Sequence, residues 1–484
     1  MNLTARWWAT WGVILGLPMA AFVTLLLVPQ WDKSFGTFDF HFWVVSITAL
    51  AAAFACAFIV GLTESLRESR LLFLGLAFLS IASIFAVHGL GTPGHIHDKA
   101  YAELGVSSWL SVLAGAAFVA LSVIDLPESV DNWLKRYGTL VFGIVTMLAG
   151  LYIGLSFVAE GWLGFLPYEE RWLQLLTSAA VFGLLGFGAW RYLQAFLFAR
   201  QPSQWAMVCV LVLLIEVQVS LTFGRFWLYS WWMYHGMYAL CFVVLFGAWA
   251  YEGLRAGNLK VIADGLSMRD AIAQLNHGYS QPIAELVDAI EWKDLYTLGH
   301  VRRVASFSVM IGKELGLSTL DLRALALGAQ MHDVGKIGVP DRILTKPGPL
   351  TSEEFTIIKE HVARGYEIAQ NTKALHVAID AIHFHHEKWD GTGYPEGLTG
   401  DAIPLHARIV AVADAYDAMT SGRVYQPAVL HDAAFAELRR CTGTHFDSAC
   451  IEAFASAMSK VRDARPATDV ATQEPSAAKP NIAA

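Results

Sequence analysis

The feature that most constrains this chain is a series of long apolar runs in its first half. A helix that crosses a bilayer needs about 20 mostly apolar residues. Eight runs approach that length before residue 252, near 7–28, 41–62, 71–90, 107–124, 138–158, 172–190, 206–223 and 231–251. Residues 1–251 are therefore predicted to form a polytopic transmembrane helical bundle in contact with membrane lipid.

Basic residues predict the orientation of this bundle, because Lys and Arg concentrate in cytoplasmic loops. One set of alternate loops holds nine basic residues and the other set holds four. The first set is Arg6, Arg67, Arg70, Lys135, Arg136, Arg191, Arg200, Arg255 and Lys260, and the second is Lys33, Lys99, Arg171 and Arg225. We therefore expect both termini in the cytoplasm.

Five polar residues are candidates for a sensor in the membrane half. His88, His95, His97 and His235 are expected on the outer side, where a histidine cluster can bind a metal or respond to protons near about pH 6. The alternative is a set of polar loop histidines with no joint role. Glu216 lies inside an apolar run near Gln218, and a carboxylate there needs a partner or water. It is expected to line a ligand or proton site, or to join a hydrogen-bonded pair within the bundle.

The segment that follows the bundle, residues 252–284, has apolar positions at helical spacing. It is predicted to be a helical linker, bent near Gly278 and Pro282. Its apolar stripe either pairs with a second copy, giving a homodimer through the linker and membrane domain, or packs on the neighbouring domain. At the other end, residues 461–484 are rich in Ala, Pro, Thr and Ser and are predicted to be disordered.

The composition of the chain argues against several classes of function. The net charge of -8 argues against a nucleic-acid polymer as a partner, since such proteins normally carry a strongly basic face. The five cysteines include no CxxC pair, so neither a disulfide framework nor a thiolate zinc site is expected. Apolar residues recur at helical spacing, and Thr351 to Glu354 form a predicted capping box. The whole chain is therefore predicted to be all-α.

Histidines and aspartates accumulate at predicted helix ends and on helices expected to converge in a bundle. One such residue alone is usually a surface or hydrogen-bonded group, but the number and type here predict a metal site, because imidazole and carboxylate suit iron, manganese or zinc. An aspartate next to a histidine can bridge two metals while the histidine binds one. The residues are His300, His332, Asp333, His361, His385, His386, Asp414 and Asp417.

Longer motifs around these residues carry a family resemblance. They are His332-Asp333-Val334-Gly335-Lys336, His385-His386-Glu387, Asp390-Gly391-Thr392-Gly393-Tyr394-Pro395, and Asp414-Ala415-Tyr416-Asp417. Residues 285–460 resemble an HD-GYP domain, the subclass of HD phosphohydrolases that hydrolyses cyclic di-GMP. The double histidine followed by the Gly-Tyr-Pro segment makes this resemblance specific.

The resemblance implies a site with two divalent transition metals, iron or manganese. One metal would be held by His300, His332, Asp333 and Asp414, and the second by Asp333, His361, His385 and His386. Asp333 would bridge the two, and a shared hydroxide would attack the phosphodiester. Tyr296 stands where some family members carry a glutamate that supports a third metal, so two metals are expected.

The resemblance also implies which residues contact the substrate. Lys336 would grip a phosphate oxygen and assist catalysis together with Asp333. Arg423 either contacts phosphate or guanine, or forms a surface salt bridge, and the sequence around it departs from the family pattern. The substrate-binding set is Lys336, Gly391, Gly393, Tyr394, Pro395, Asp417 and Arg423.

The combined expectation is a cyclic di-GMP phosphodiesterase in the bacterial cytoplasmic (inner) membrane, with linear pGpG or GMP as its product. One alternative is an enzyme for a related cyclic dinucleotide. A second is an inactive cyclic dinucleotide receptor that signals through a partner protein.

Overall fold

The computed structural model describes residues 3–62, 68–96, 102–159, 161–267, 281–293, 299–346, 348–421 and 428–463. Within these ranges the chain is helical and contains no strand, apart from three isolated bridges. It divides into two compact units, Met1–His277 and Gly278–Ala484. The prediction of an all-α chain is confirmed.

Among the residues that the structure describes, the first unit contains eight helices that are long and apolar enough to cross a membrane, followed by one short helix. The helices are α1 (Leu3–Leu27), α2 (Phe38–Leu62), α3 (Ser69–Leu90), α4 (Ala102–Val123), α5 (Glu128–Val158), α6 (Arg171–Ala199), α7 (Pro202–Phe223), α8 (Tyr229–Ala256) and α9 (Lys260–Ser267). Helix α5 begins ten residues before the predicted apolar run, because its polar first turns, including the ion pair of Asp131 with Lys135, continue the helix.

Burial separates the inner helices of this unit from its outer ones. Helix α3 packs against α2, α4 and α5, and α7 packs against α6 and α8. Side chains such as Leu72 and Leu211 are fully buried there. By contrast, α5 exposes large apolar side chains, among them Leu140, Met147 and Leu151. An apolar outer face of this kind suits contact with lipid.

The second unit contains nine helices of at least four residues among those the structure describes. They are α10 (Gln281–Lys293), α11 (His300–Glu314), α12 (Thr319–Met331), α13 (Asp341–Leu344), α14 (Ser352–Asn371), α15 (Ile379–Phe384), α16 (Leu405–Thr420), α17 (His431–Arg440) and α18 (Ser448–Asp463). A 3-10 turn at Val334–Gly338 packs against α14. The capping box predicted at Thr351 and Glu354 is present at the start of α14.

Only part of the predicted linker is described. Pro282 lies in the first turn of α10, a position that tolerates proline because its missing N–H would have no helical partner. Gly278 lies outside the described residues, as do most of the residues of the predicted tail.

Candidate metal centre

Five helical elements of the second unit deliver the predicted metal ligands to one place. His300 is the first residue of α11, and His332 and Asp333 directly follow α12. His361 lies in the middle of α14. The remaining ligands are His385 and His386 after α15, and Asp414 on α16. Residues separated by more than one hundred positions are thus brought together by the packing of α11 against α12 and α16.

Asp333 lies between two groups of histidines. Its Oδ2 is 3.3 Å from Nε2 of His332, and its Oδ1 is 3.4 Å from Nε2 of His361. One group comprises His300, His332 and Asp333, and the other comprises His361, His385 and His386, each with its ligand atoms within 4.8 Å of one another. The two carboxylate oxygens therefore face different groups, as a bridging ligand requires.

Backbone carbonyls set the direction of three of these imidazoles. His332 Nδ1 lies 2.7 Å from the carbonyl oxygen of Ala329, and His361 Nδ1 lies 2.7 Å from that of Ile358. His385 Nδ1 makes a similar contact of 3.0 Å with Ile382. Because a carbonyl can only accept, each Nδ1 carries a proton, and Nε2 is the nitrogen that faces the centre. Metal-binding histidines are commonly held in this way.

Electrostatics also favours a cation at this place. Asp333 is 4% exposed, and although burial opposes its charge, Lys336 and His332 hold the pKa of its carboxyl well below the usual value. Burial opposes the charged form of His332 as well, yet Asp333 raises its pKa to about 9. Burial instead lowers the pKa of His386 to about 4, which keeps that imidazole neutral. The proton held by His332 and the ammonium of Lys336 therefore balance the charge of the buried Asp333 carboxylate. A bound metal would take over this role, and the donor set fits transition metals.

Lys336 follows Asp333 by three residues and contacts it directly. Its Nζ is 2.6 Å from Asp333 Oδ2, and the side chain is partly exposed. The ammonium therefore reaches both the centre and solvent, as expected for a group at the edge of the site.

Asp417, predicted to bind substrate, is hydrogen-bonded to other side chains inside the protein. Its Oδ2 accepts a hydrogen bond of 2.6 Å from His300 Nδ1, and both its oxygens accept from Arg303, at 2.6 and 3.0 Å. The residue is 1% exposed, so its carboxylate is used inside the protein. Asp417 is thus placed to orient His300, whose Nε2 lies 3.4 Å from Asp414, and its contact with substrate stays a prediction.

The Gly-Tyr-Pro segment forms one side of the centre. The ring of Tyr394 stacks on His386 with 4.8 Å between centroids, and the Tyr394–Pro395 bond is cis. Gly391 has a φ of 80°, a conformation that favours glycine. A Cβ on Gly393 would lie 2.3 Å from the backbone nitrogen of Lys388, so the chain approaches itself too closely there for a side chain.

Two residues near this segment were missed by sequence reasoning. The carboxylate of Glu387 accepts hydrogen bonds from the backbone N–H groups of Glu396, Gly397 and Leu398 and so holds the loop after Pro395. Lys359 Nζ lies 4.9 Å from the centre of the Tyr394 ring, which places a second cation beside the site. Glu387 was visible in the double-histidine motif, whereas Lys359 precedes His361 by two residues and had no signal of its own.

The candidate sensor residues divide in the structure. His88 and His235 are brought together, but with His41, which sequence reasoning missed. His95 instead stacks on Phe42 and lies 3.6 Å from the Asp39 carboxylate. Glu216 is buried, while the amide nitrogen of Gln218 donates to Ser178. His97 and Arg423 lie outside the described residues.

The geometry agrees with a comparison against known families. Residues 286–450 match the family model described as an HD domain. This segment is similar to an HD domain, and residues 286–450 are referred to by that name. Its metal-site histidines and Asp333 all lie within the matched range.

Three of the curated relatives match between 36% and 41% of this chain. The cyclic di-GMP phosphodiesterase response regulator RpfG of Xanthomonas campestris is 41% identical over 36% of this chain and 46% of its own length. A cyclic di-GMP phosphodiesterase of Thermotoga maritima is 41% identical over 36% of this chain and 48% of its own length. The 3'3'-cGAMP-specific phosphodiesterase 2 of Vibrio cholerae is 35% identical over 41% of this chain and 37% of its own. The chain thus spans less than half the length of these relatives.

Gly335 is predicted to be required for the spacing of the two metal groups. A Cβ there would lie 1.9 Å from the carbonyl oxygen of His361, so Gly335→Ala must push the turn that carries Asp333 away from α14. Metal affinity, measured by titration of the chelator-stripped protein, should fall by about 10–100-fold, the range seen when ligand orientation is lost.

Gly338→Ala is the matched control in the same turn. Its Cβ would meet the flexible side chain of Arg364 and not backbone. Its metal affinity should stay close to that of the wild type, because the Arg364 side chain can move aside without displacing a metal ligand. Equal losses in the two variants would show that the contact with His361 is not what sets the spacing.

The role of Asp417 in orienting His300 can be tested separately. Asp417→Asn removes the charge that holds His300 Nδ1–H and should weaken metal binding by about 10–100-fold. Excess metal should restore full occupancy and activity. The control Asp432→Asn, at an exposed position of α17, should match the wild type in metal affinity. Unchanged metal affinity with a raised KM would instead indicate that Asp417 contacts substrate.

Proposed function

We propose that this chain is a membrane-anchored, metal-dependent phosphodiesterase that hydrolyses cyclic di-GMP to linear pGpG, with GMP as a further product. The observation that carries this proposal is the position of Asp333, whose two oxygens face two separate histidine groups. The names of the relatives support the substrate, since two of them are called cyclic di-GMP phosphodiesterases. In this proposal the metal ligands are His300, His332, Asp333 and Asp414 on one side, and Asp333, His361, His385 and His386 on the other.

The chemistry follows from the residues around the centre. When two metals about 3.5–4 Å apart are bound, they make water a stronger nucleophile and stabilise charge that develops on phosphoryl oxygens. Iron or manganese suits these imidazole and carboxylate donors. The Nε2 lone pairs of the histidines and both oxygens of Asp333 would hold these ions in fixed positions.

Lys336 is proposed to act on the substrate phosphate. Its ammonium is paired with Asp333 Oδ2, but that oxygen is also the one that faces His332 and its metal group. With the charge of Asp333 shared by metals, the lysine would turn to a phosphate oxygen and bind it as a point charge. Lys359, whose Nζ lies 4.9 Å from the centre of the Tyr394 ring, supplies a further positive charge at the wall.

The wall of the site is proposed to select the base. Tyr394 and the backbone of Gly391, Gly393 and Pro395 offer an aromatic face and close backbone approach, and such surfaces bind a nucleobase by stacking. A related cyclic dinucleotide is the second candidate substrate, because a relative at 35% identity is named a 3'3'-cGAMP-specific phosphodiesterase. The metal groups address phosphate in both cases, so the wall decides between them.

Asp333→Ala tests the enzymatic part of this proposal. Removal of the shared ligand should lower turnover of cyclic di-GMP by more than about 100-fold, because even outer-shell changes cost about 10–100-fold. His445→Ala is the control: its backbone carbonyl, which accepts from Trp389, is retained, so most activity should remain. The measurement is nucleotide turnover by the full chain loaded with iron or manganese.

Two other results would favour the rival functions. Tight binding of cyclic di-GMP by metal-loaded protein without any turnover would indicate a receptor. Faster turnover of 3'3'-cGAMP than of cyclic di-GMP in the same preparation would move the proposal to the related substrate. Equal activity of Asp333→Ala and His445→Ala would contradict the site assignment itself.

The first unit is proposed to anchor the enzyme in a bacterial inner membrane with both termini in the cytoplasm. The excess of basic residues in one set of loops supports this orientation. Two exposed serines offer a matched pair for a test, Ser34 between α1 and α2 and Ser129 at the start of α5. The five native cysteines are buried and should react slowly.

Labelling with a membrane-impermeant maleimide should therefore distinguish the two sides. Ser34→Cys is expected to react in cells with an opened outer membrane, whereas Ser129→Cys should react only after the inner membrane is permeabilised. The reverse pattern would invert the proposed topology.

A further inference from the structure

Three histidines of the membrane unit meet where two of its helices begin and a third one ends. His41 lies in the first turn of α2, His88 near the end of α3, and His235 in the second turn of α8. All three are buried, with 3%, 4% and 1% exposure. Their nitrogens lie within 4.8 Å of one another.

The orientation of His88 matches that of the histidines in the HD domain. Its Nδ1 lies 2.7 Å from the carbonyl oxygen of Leu104, so Nδ1 carries the proton and Nε2 presents its lone pair inward. His41 is held similarly, with Nδ1 2.8 Å from the hydroxyl of Thr92. An outer hydrogen bond at one nitrogen, with the other nitrogen directed inward, is the usual arrangement of a metal-binding imidazole.

The inward nitrogens are spaced as metal ligands are. His41 Nε2 and His88 Nε2 are 3.2 Å apart. Two nitrogens bound at about 2.0–2.1 Å to a tetrahedral ion lie about 3.3–3.4 Å apart. The Tyr234 hydroxyl donates a hydrogen bond of 2.8 Å to His88 Nε2, so an ion bound there would replace this hydrogen bond and find the Tyr234 oxygen within reach as a further ligand.

His235 supplies the observation that hydrogen bonding alone does not explain. Neither of its ring nitrogens has a hydrogen-bond partner among the residues that the structure describes. A buried imidazole without a partner costs free energy, because it has lost water and gained nothing in return. Its ring centroid is 4.9 Å from that of His41 and 5.9 Å from that of His88.

We propose that His41, His88 and His235 bind a first-row transition-metal ion of the kind that prefers imidazole, such as zinc or copper. The donor set is neutral and holds no carboxylate, which disfavours magnesium and calcium. Thr92 and the carbonyl of Leu104 fix the rings from outside, and Tyr234 is the further donor. This site is separate from the HD domain and does not depend on the function proposed for it.

Metal content of the full chain in detergent tests the proposal. Chelator-stripped protein is equilibrated with zinc, and bound metal is counted by elemental analysis. His235→Phe should bind about one ion per chain fewer than the wild type, since one structural ion needs its imidazoles. His95→Gln, at a histidine of the same unit outside the cluster, should bind as much as the wild type. With cobalt in place of zinc, the ligand-field absorption should be weaker in His235→Phe than in the wild type and His95→Gln, and what remains should come from the HD domain.

A second variant keeps the test valid if His235→Phe does not fold. Thr92→Val preserves all three imidazoles but removes the partner of His41 Nδ1, so zinc affinity at this site should fall by about 10–100-fold while saturation is still reached. Equal zinc content in folded His235→Phe and wild type would overturn the proposal. So would unchanged affinity in Thr92→Val, which would leave a cluster held by a shared proton.

Discussion

The HD domain depends on the burial of one charge, that of Asp333. A carboxylate removed from water is costly unless cations or donors surround it. Here Lys336 and two imidazoles do so, and they arrive from three separate elements, the 3-10 turn, the end of α12 and the middle of α14. The glycine at 335 lets the turn approach α14 closely enough for this, because no side chain separates them. The packing of the helices and the chemistry of the centre are therefore one constraint.

Second-layer contacts then decide what the ligands can do. Carbonyl oxygens of the preceding helical turn fix His332, His361 and His385. For His332 and His385, which directly follow their helices, these are last-turn carbonyls that lack helical partners, whereas His361 lies in the middle of α14. His300 is the first residue of α11, so no earlier turn of that helix can offer it a carbonyl. Asp417 takes the place of the carbonyl there, and Arg303 compensates its charge.

Much of this was predictable from the sequence, for reasons that differ between the halves. Lipid-spanning helices are set by length and apolarity, so eight helices could be counted, although polar turns such as those of α5 extended them. The ligands of the HD domain are recognisable because motifs keep them at fixed spacing. The role of Asp417 was not predictable, because its partner His300 lies 117 residues away in the chain and only the packing of α11 on α16 joins them. His41 was missed because it stands alone in an apolar run, and its partner His88 lies 47 residues away in the chain.

The two histidine clusters differ in how they balance charge, and this difference limits what each can bind. In the HD domain two carboxylates, Asp333 and Asp414, accompany the imidazoles, so they would offset half of the charge of a pair of divalent ions, and hard phosphate oxygens could join them. The membrane cluster has neutral imidazoles and a phenol within a largely apolar unit, with Trp231 and Trp232 against His235. A second ion there would meet uncompensated repulsion in a medium of low dielectric constant. The cluster is therefore suited to one tightly held ion, and it lacks the charge needed to support phosphoryl transfer.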